Sequence, residues 1–260
     1  MAETFLQQAK YAEAMERYED MRKFMESEYR VMFENNGTIP PEHRNLLSVA
    51  YKNVVGAKRS SWRTICSIQE KEENGQAKNK DQKLTIIKKV KSAIEEDLDE
   101  ISNSLLNLID SYKLCNAHFE GTDDPNLVSN VFYSKMKGDY YRYMAEYKSG
   151  DERKIVVEKA SEVYKQAEEL AKPLQSTHPI KLGLALNYSV FHYEILSNPE
   201  EACKLAKMTF DSAIADLDLL KDDTYKDGAL IMSLLRDNLS LWTAEIQSEA
   251  PTGEEGTGDQ

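Results

Sequence analysis

Residues 44–63, RNLLSVAYKNVVGAKRSSWR, place basic side chains on an otherwise apolar helix. Lys52 and Arg59 stand seven residues apart in it. Seven residues make two turns less about 20°, so both share one helix face, about 10.5 Å apart along the axis. The same spacing separates Lys135 and Arg142 in KMKGDYYRY (135–143). The whole chain carries a net charge of −12. Positive charge gathered on inward-looking helix faces of an acidic protein points to a private site for an anion.

Composition narrows the setting. The 260 residues are 41% hydrophobic, enough for a sizeable core, and 30% charged, as amphipathic helices with solvated outer faces require. The acidic balance argues against nucleic-acid binding, which rewards clustered Lys and Arg, and against docking on an anionic membrane. MAETFLQQAKYAEAMERYED has no apolar core of a signal peptide. No apolar run approaches the length of a membrane span, so no membrane insertion is expected. Cys66, Cys115 and Cys203 are odd in number and far apart, and read as reduced thiols of a cytoplasmic protein with access to the nucleus. The sequons at Asn36, Asn187 and Asn238 carry little glycosylation meaning without a secretory signal.

The seven prolines interrupt no helical pattern. They sit where helices start or join. No alternating Val/Ile/Thr-rich run appears, so no sheet is expected. The pattern predicts nine helices, at about 3–15, 18–34, 41–72, 81–114, 126–148, 152–171, 180–196, 199–219 and 224–247. HFEGTDDPNL reads as a loop. One helical domain is expected over 1–248, and 249–260, with four acidic residues, as a disordered tail. Paired helices over 155–220 resemble a helical-hairpin array, though no fixed repeat period runs through the chain.

Catalysis finds no footing. His43, His118, His178 and His192 form no ligand spacing, and HExxH, paired CxxC and GxxxxGK[ST] are absent from the sequence. The chain reads as a non-enzyme without cofactor or metal. Binding is better supported. Lys52, Gly56, Arg59 and Arg63 share a stripe on the third helix. Lys135, Gly138, Asp139 and Arg142, with Tyr143 adjacent, share one on the fifth. The seventh has Gly183, Leu186, Asn187, Val190 and Glu194 along one side, and the ninth has Gly228, Ile231, Leu234, Asn238 and Leu241. Any one stripe is also what a salt-bridged surface looks like. Four with the same logic favour a site. The four glycines either open room for a ligand or let helices pack closely, and each costs about 1 kcal/mol relative to Ala inside a helix.

Two arginines, a lysine and a tyrosine hydroxyl suit a phosphate dianion. Phosphoserine carries about −1.5 to −2 charge and three acceptor oxygens, which guanidinium forks match bidentately. Asn187 and Asn238, each with donor and acceptor on one amide, suit the backbone of an extended peptide. Leu186, Val190, Leu230, Ile231, Leu234 and Leu241 supply an apolar wall.

Four segments now carry a resemblance. RNLLSVAYKNVVGAKRSSWR (44–63), FYSKMKGDYYRYMAEY (132–147), HPIKLGLALNYSVFHYEIL (178–196) and YKDGALIMSLLRDNLSLWTAE (225–245) resemble the 14-3-3 proteins, over about residues 3–247. The resemblance implies an all-α, cup-shaped protomer of nine antiparallel helices with an amphipathic groove, usually dimeric. It implies an adaptor that binds phosphoserine or phosphothreonine motifs of client proteins. Matched by motif, Lys52, Arg59, Arg142 and Tyr143 look like the phosphate pocket, and Asn187 and Asn238 like backbone clamps. Glu194 and Trp242 look like ligand contacts on the same wall, Lys135 like a basic lining residue and Asp139 like an orienting neighbour.

Departures fall elsewhere. Lys58 stands where arginine is common, and Gly228, Ala229 and Ser233 where Ser, Thr and Gln are common. YRVMFENNGTIPPEH and HFEGTDDPNLVSN are extended. The implied dimer surface uses the first, third and fourth helices. Arg17 and Asp97 retain a cross-subunit ion pair there, whereas Asp20 meets Ala93 in place of a lysine. Tyr11, Met15 and Val90 replace a leucine, a small residue and an aromatic. A homo- or heterodimer with an altered interface is expected, with Ser61 beside it as a place where phosphorylation adds charge and bulk. Two alternative readings stand beside the adaptor: a helical scaffold for unmodified partners, and a divergent paralogue acting through heterodimers.

Overall fold

The structure, a computed structural model, describes residues 4–35, 39–75, 79–115, 125–216 and 222–249. Among these residues lie nine helices and no strand. They are α1 (Phe5–Ala14), α2 (Tyr18–Glu34), α3 (Pro41–Asn74), α4 (Lys80–Ser111), α5 (Pro125–Tyr147), α6 (Gly150–Ala171), α7 (Pro179–Glu194), α8 (Pro199–Ala215) and α9 (Asp222–Glu249). The all-α expectation holds. His118, the sequon at Asn36, most of the HFEGTDDPNL loop and the acidic tail beyond residue 249 lie outside the described residues.

Local chemistry sets the ends. Pro41, Pro179 and Pro199 each open a helix, where a missing N–H costs nothing. The Asn198 side chain accepts from Glu201 N at 3.1 Å, and His178 Nδ1 accepts from Ile180 N at 3.2 Å. Three helices stop earlier than their apolar pattern suggests. α4 ends at Ser111 rather than near 114, because Lys113 turns to φ 50° and Leu114 N–H reaches back to Ile109 O. α7 ends at Glu194 rather than 196, and Ser197 turns at φ 52° to start α8. α8 ends at Ala215, capped by Asp216, rather than near 219.

The chain forms two compact units, residues 1–117 with 136–160, and residues 118–135 with 161–260. In the first, α1 packs on α2, α2 on α3 and α3 along α4. Its core holds Met21, Met25, Tyr29, Leu47, Tyr51, Leu105 and Ile109, all without exposed surface. Each such side chain contributes about 1.5–3 kcal/mol through burial. One polar knot lies among them. Glu26 accepts from Arg22 at 2.7 Å, Tyr51 Oη at 2.5 Å and Ser104 Oγ at 3.1 Å. Burial and the Glu26 charge push the Tyr51 hydroxyl far up, so it stays a donor.

In the second unit α7 packs on α8 and α9, and α8 on α9. Leu182, Ala202, Ala206, Ala213, Met232, Leu235 and Trp242 form its core, with Leu186, Val190 and Ile231 half-buried against them. Small residues on α8 let α7 and α9 approach closely. No helix among the described residues is long and apolar enough to cross a membrane.

Candidate functional site

α3 and α5 bring three of the four expected anion ligands together in the first unit. The Arg59 guanidinium carbon lies 4.0 Å from the Tyr143 ring centroid, and that of Arg142 lies 4.7 Å from it. One tyrosine thus spaces two guanidinium groups that would otherwise repel. Tyr143 itself rests edge-on against Tyr140, which meets Tyr51 edge-on in turn. Burial pushes the Tyr140 hydroxyl well above its usual range, helped by Tyr143, Tyr51 and Asp139. The aromatic ladder therefore supports the cluster without adding charge to it.

Carboxylates hold the arginines in place. Glu146 accepts from Arg59 Nε at 3.1 Å and from the terminal nitrogen of the same guanidinium. Arg63 reaches Glu146 at 3.3 Å. Asp139 lies 3.8 Å from Arg142, both side chains being 7% exposed. Asp139 therefore stands beside Arg142, one turn before it on α5. Glu146 was not legible as a site residue. Its one available signal is its position one turn beyond Arg142 on α5.

Lys52 is the exposed member. It sits on α3 two turns before Arg59, about 10.5 Å along the axis. Beyond Arg59, α3 continues into an open depression of about 480 Å³ lined by Gly56, Ser60, Arg63, Thr64 and Lys71 among others. A Cβ added at Gly56 meets nothing within 4 Å, so this glycine opens space.

The second unit carries the expected apolar face. Leu230, Leu234 and Leu241 are 65%, 44% and 55% exposed on α9, while Leu235 and Trp242 point into the core. Asn187 and Asn238 are half-buried on α7 and α9, and Glu194 is exposed at the end of α7. Trp242, expected as a ligand contact, is largely buried. It is a core residue, 4% exposed and stacked on Tyr193 at 4.8 Å, so it supports the wall rather than offering open surface. Lys135 lays its side chain across Gly183, with its Cε 3.6 Å from where a Cβ there would stand. Gly228 is a packing glycine, with Thr177 O only 3.3 Å from the place of its Cβ. The two readings of the glycines therefore divide between positions.

The surface expected to bind a second copy exposes Tyr11, Met15 and Val90 at 53%, 60% and 44%, with Ile86 at 62%. Ser61 is exposed, its hydroxyl donating to Ala57 O. Arg17 pairs with Asp20 and Lys58 with Asp97 at 2.5 Å within one chain. Arg17 and Asp97, expected to meet across subunits, thus each have a partner at home.

Known proteins share this architecture in sequence. The family described as 14-3-3 protein has a model that matches residues 8–243. The 14-3-3 protein beta/alpha-1 of Oncorhynchus mykiss is 49% identical over 255 residues, covering 98% of this chain and 97% of that protein. The 14-3-3-like protein GF14 phi of Arabidopsis thaliana is 51% identical over 250 residues, covering 96% and 89%. The 14-3-3 protein eta of Homo sapiens is 51% identical over 248 residues, covering 95% and 96%. A match of this extent runs through both units, and the chain belongs to the 14-3-3 family.

Proposed function

We propose that this protein is a phosphoserine- and phosphothreonine-dependent adaptor, which binds phosphorylated motifs of client proteins without a catalytic step. The observation that carries the reading is the pair of guanidinium groups of Arg59 and Arg142 set against one Tyr143 ring. Planar forks match phosphate oxygens bidentately, and each charge-assisted hydrogen bond contributes about 1.5–3 kcal/mol. An unphosphorylated serine offers those guanidinium groups no anion, which is a source of discrimination. Lys52 adds a long-reaching charge. Family membership supports the same reading, since 14-3-3 proteins are phospho-dependent adaptors.

The rest of the client engages residues of the second unit. Asn187 and Asn238 hold the peptide main chain. Leu186, Val190, Leu230, Ile231, Leu234 and Leu241 form the apolar wall, flanked by Glu194 and lined by Lys135. We take the whole of 1–248 as one functional domain acting in the cytoplasm, with entry to the nucleus. Self-association through Tyr11, Met15, Val90 and their neighbours places two sites on one assembly. Two phosphosites on one client then gain about 10²–10⁴ in avidity where the linker spans both. Clamping, masking or scaffolding follows from holding the client rigidly.

The test titrates a labelled phosphoserine peptide onto the wild type, Lys52→Glu, and Arg59→Glu with Arg142→Glu. The charge-reversed proteins keep their helicity and lose binding by at least about 100-fold, as two lost charge-assisted bonds require. Tight binding retained by the double variant refutes the site.

A further inference from the structure

A cavity of about 200 Å³ opens within the second unit, between the end of α6, the first half of α7 and the middle of α8. Leu184, Ala185, Leu205 and Met208 give it an apolar body. Two side chains of opposite charge share the lining, Lys181 from α7 and Glu168 from α6, beside Tyr188, Thr209 and Ser212. Ser176 closes one part of the wall, tied by a 2.6 Å bond to Asp216 at the end of α8.

The lysine is poorly matched by the protein alone. It stands in the first turn of α7, where the helix dipole is positive and a cation is disfavoured. Its ammonium donates to Leu174 O at 2.8 Å and Lys172 O at 3.2 Å. An ammonium has three donors, so one remains after these two carbonyls. Burial alone sets its titration, holding it below the usual lysine range, and no carboxylate contributes. Glu168 is shifted the other way by burial and by Glu169 and Glu201, with Lys172 opposing. An ammonium and a carboxylate from two different helices thus face one largely apolar chamber.

We propose that this cavity binds a small zwitterion whose ammonium and carboxylate are separated by an apolar middle, as in an ω-amino carboxylate. The carboxylate meets the Lys181 ammonium. The ammonium meets Glu168, and the hydrocarbon lies against Leu184, Ala185, Leu205 and Met208. A ligand bearing one charge leaves the opposite wall group unmatched. Ligand pockets of this composition, apolar with a few placed polar groups, are the usual kind for small molecules.

Met208 reports occupancy, being 60% exposed at the cavity. The full-length protein, labelled with ¹³C at the methionine methyls, is titrated with 6-aminohexanoate, hexanoate and hexylamine. The proposal expects 6-aminohexanoate to shift the Met208 methyl saturably, with affinity about tenfold or more above either single-charge compound, or 1.4 kcal/mol. Lys181→Gln lowers zwitterion affinity to that of hexylamine, and Glu168→Gln to that of hexanoate. Ala185→Leu fills the chamber and removes the shift, while helicity and phosphopeptide binding stay as in the wild type. Equal binding of all three compounds overturns the proposal. So does an unmoved Met208 signal, or undiminished binding in Lys181→Gln.

Discussion

Glu146 holds Arg59 by two nitrogens of one guanidinium, so a carboxylate on α5 orients the α3 arginine that we propose as a phosphate ligand. The side chains are 10% and 20% exposed, where pairing counts for more than on open surface. Such a pair preorganises the site, since less side-chain freedom is lost when an anion binds. It also sets a mutational signature. Arg59→Gln leaves Glu146 with only the longer Arg63 contact and should cost about 2 kcal/mol of stability. Adding Glu146→Gln should restore at least half of that loss, although phosphopeptide binding stays low. Urea midpoints at constant slope measure both steps. A double variant no more stable than the single one means that the pair contributes nothing.

Two of the helical glycines, Gly56 and Gly228, predict opposite effects of one substitution. Gly56→Ala adds a methyl to open space and should raise stability by up to about 1 kcal/mol. Gly228→Ala drives a Cβ to 3.3 Å from the Thr177 carbonyl, a backbone atom that yields only by moving the chain. It should lower stability by about 1–2 kcal/mol despite the gain in propensity. Thermal midpoints compare them. If Gly56→Ala also leaves phosphopeptide affinity untouched, the space beside Gly56 is not used by the ligand.

His192 contributes an acid-labile part of stability. Its ring packs against Tyr188 at 4.7 Å, and Nδ1 is buried without a partner. Burial lowers its pKa from about 6.5, while Glu201 opposes that shift. The unfolded chain therefore takes up the proton first. The stabilisation is full above about pH 6.5 and is lost as pH falls through the depressed folded value. His192→Phe keeps the ring contact and removes the titration. Its stability relative to wild type should rise more at about pH 5.5 than at about pH 7.5. An equal difference at both pH values argues against the assignment.

Self-association should depend on apolar contacts rather than on the ion pair. Arg17 and Asp97 both have partners within the chain, so a cross-subunit bond between them replaces existing ones. Exposed pairs contribute about 0–1 kcal/mol, and an exchange of pairs less. Sedimentation over a concentration series should give an ordinary dimerisation curve for Arg17→Ala, within about fivefold of wild type. Met15→Asp should remain monomeric. The reverse pattern sinks this view of the interface. A wild-type dimer that persists undissociated into the nanomolar range contradicts a weakened one.

Much of this was legible from residue chemistry. Prolines 41, 179 and 199 announced three helix starts, and the Lys52 and Arg59 spacing announced a cationic face. Helix ends were less legible, because Lys113 and Ser197 adopt a left-handed backbone that neither residue type favours. Trp242 and Leu241 are neighbours in sequence, yet one is core and the other exposed, and only helix phase against α7 and α8 separates them. Glu146 hid among the 45 acidic residues. A charge on a helix looks the same in sequence whether it faces water or an arginine. Gly56 and Gly228 share a helical setting and differ only in what lies opposite.

Phosphate dependence is the property that the Arg59, Arg142 and Tyr143 cluster has to deliver. Fluorescence anisotropy with one labelled client-like peptide, in phosphoserine and unphosphorylated forms, tests it most directly. The phosphorylated form should bind at least about 100-fold tighter, with affinity falling below about pH 6 as the dianion takes up a proton. Arg59→Glu with Arg142→Glu should erase the difference between the two forms. Equal affinity of the wild type for both peptides would contradict the account.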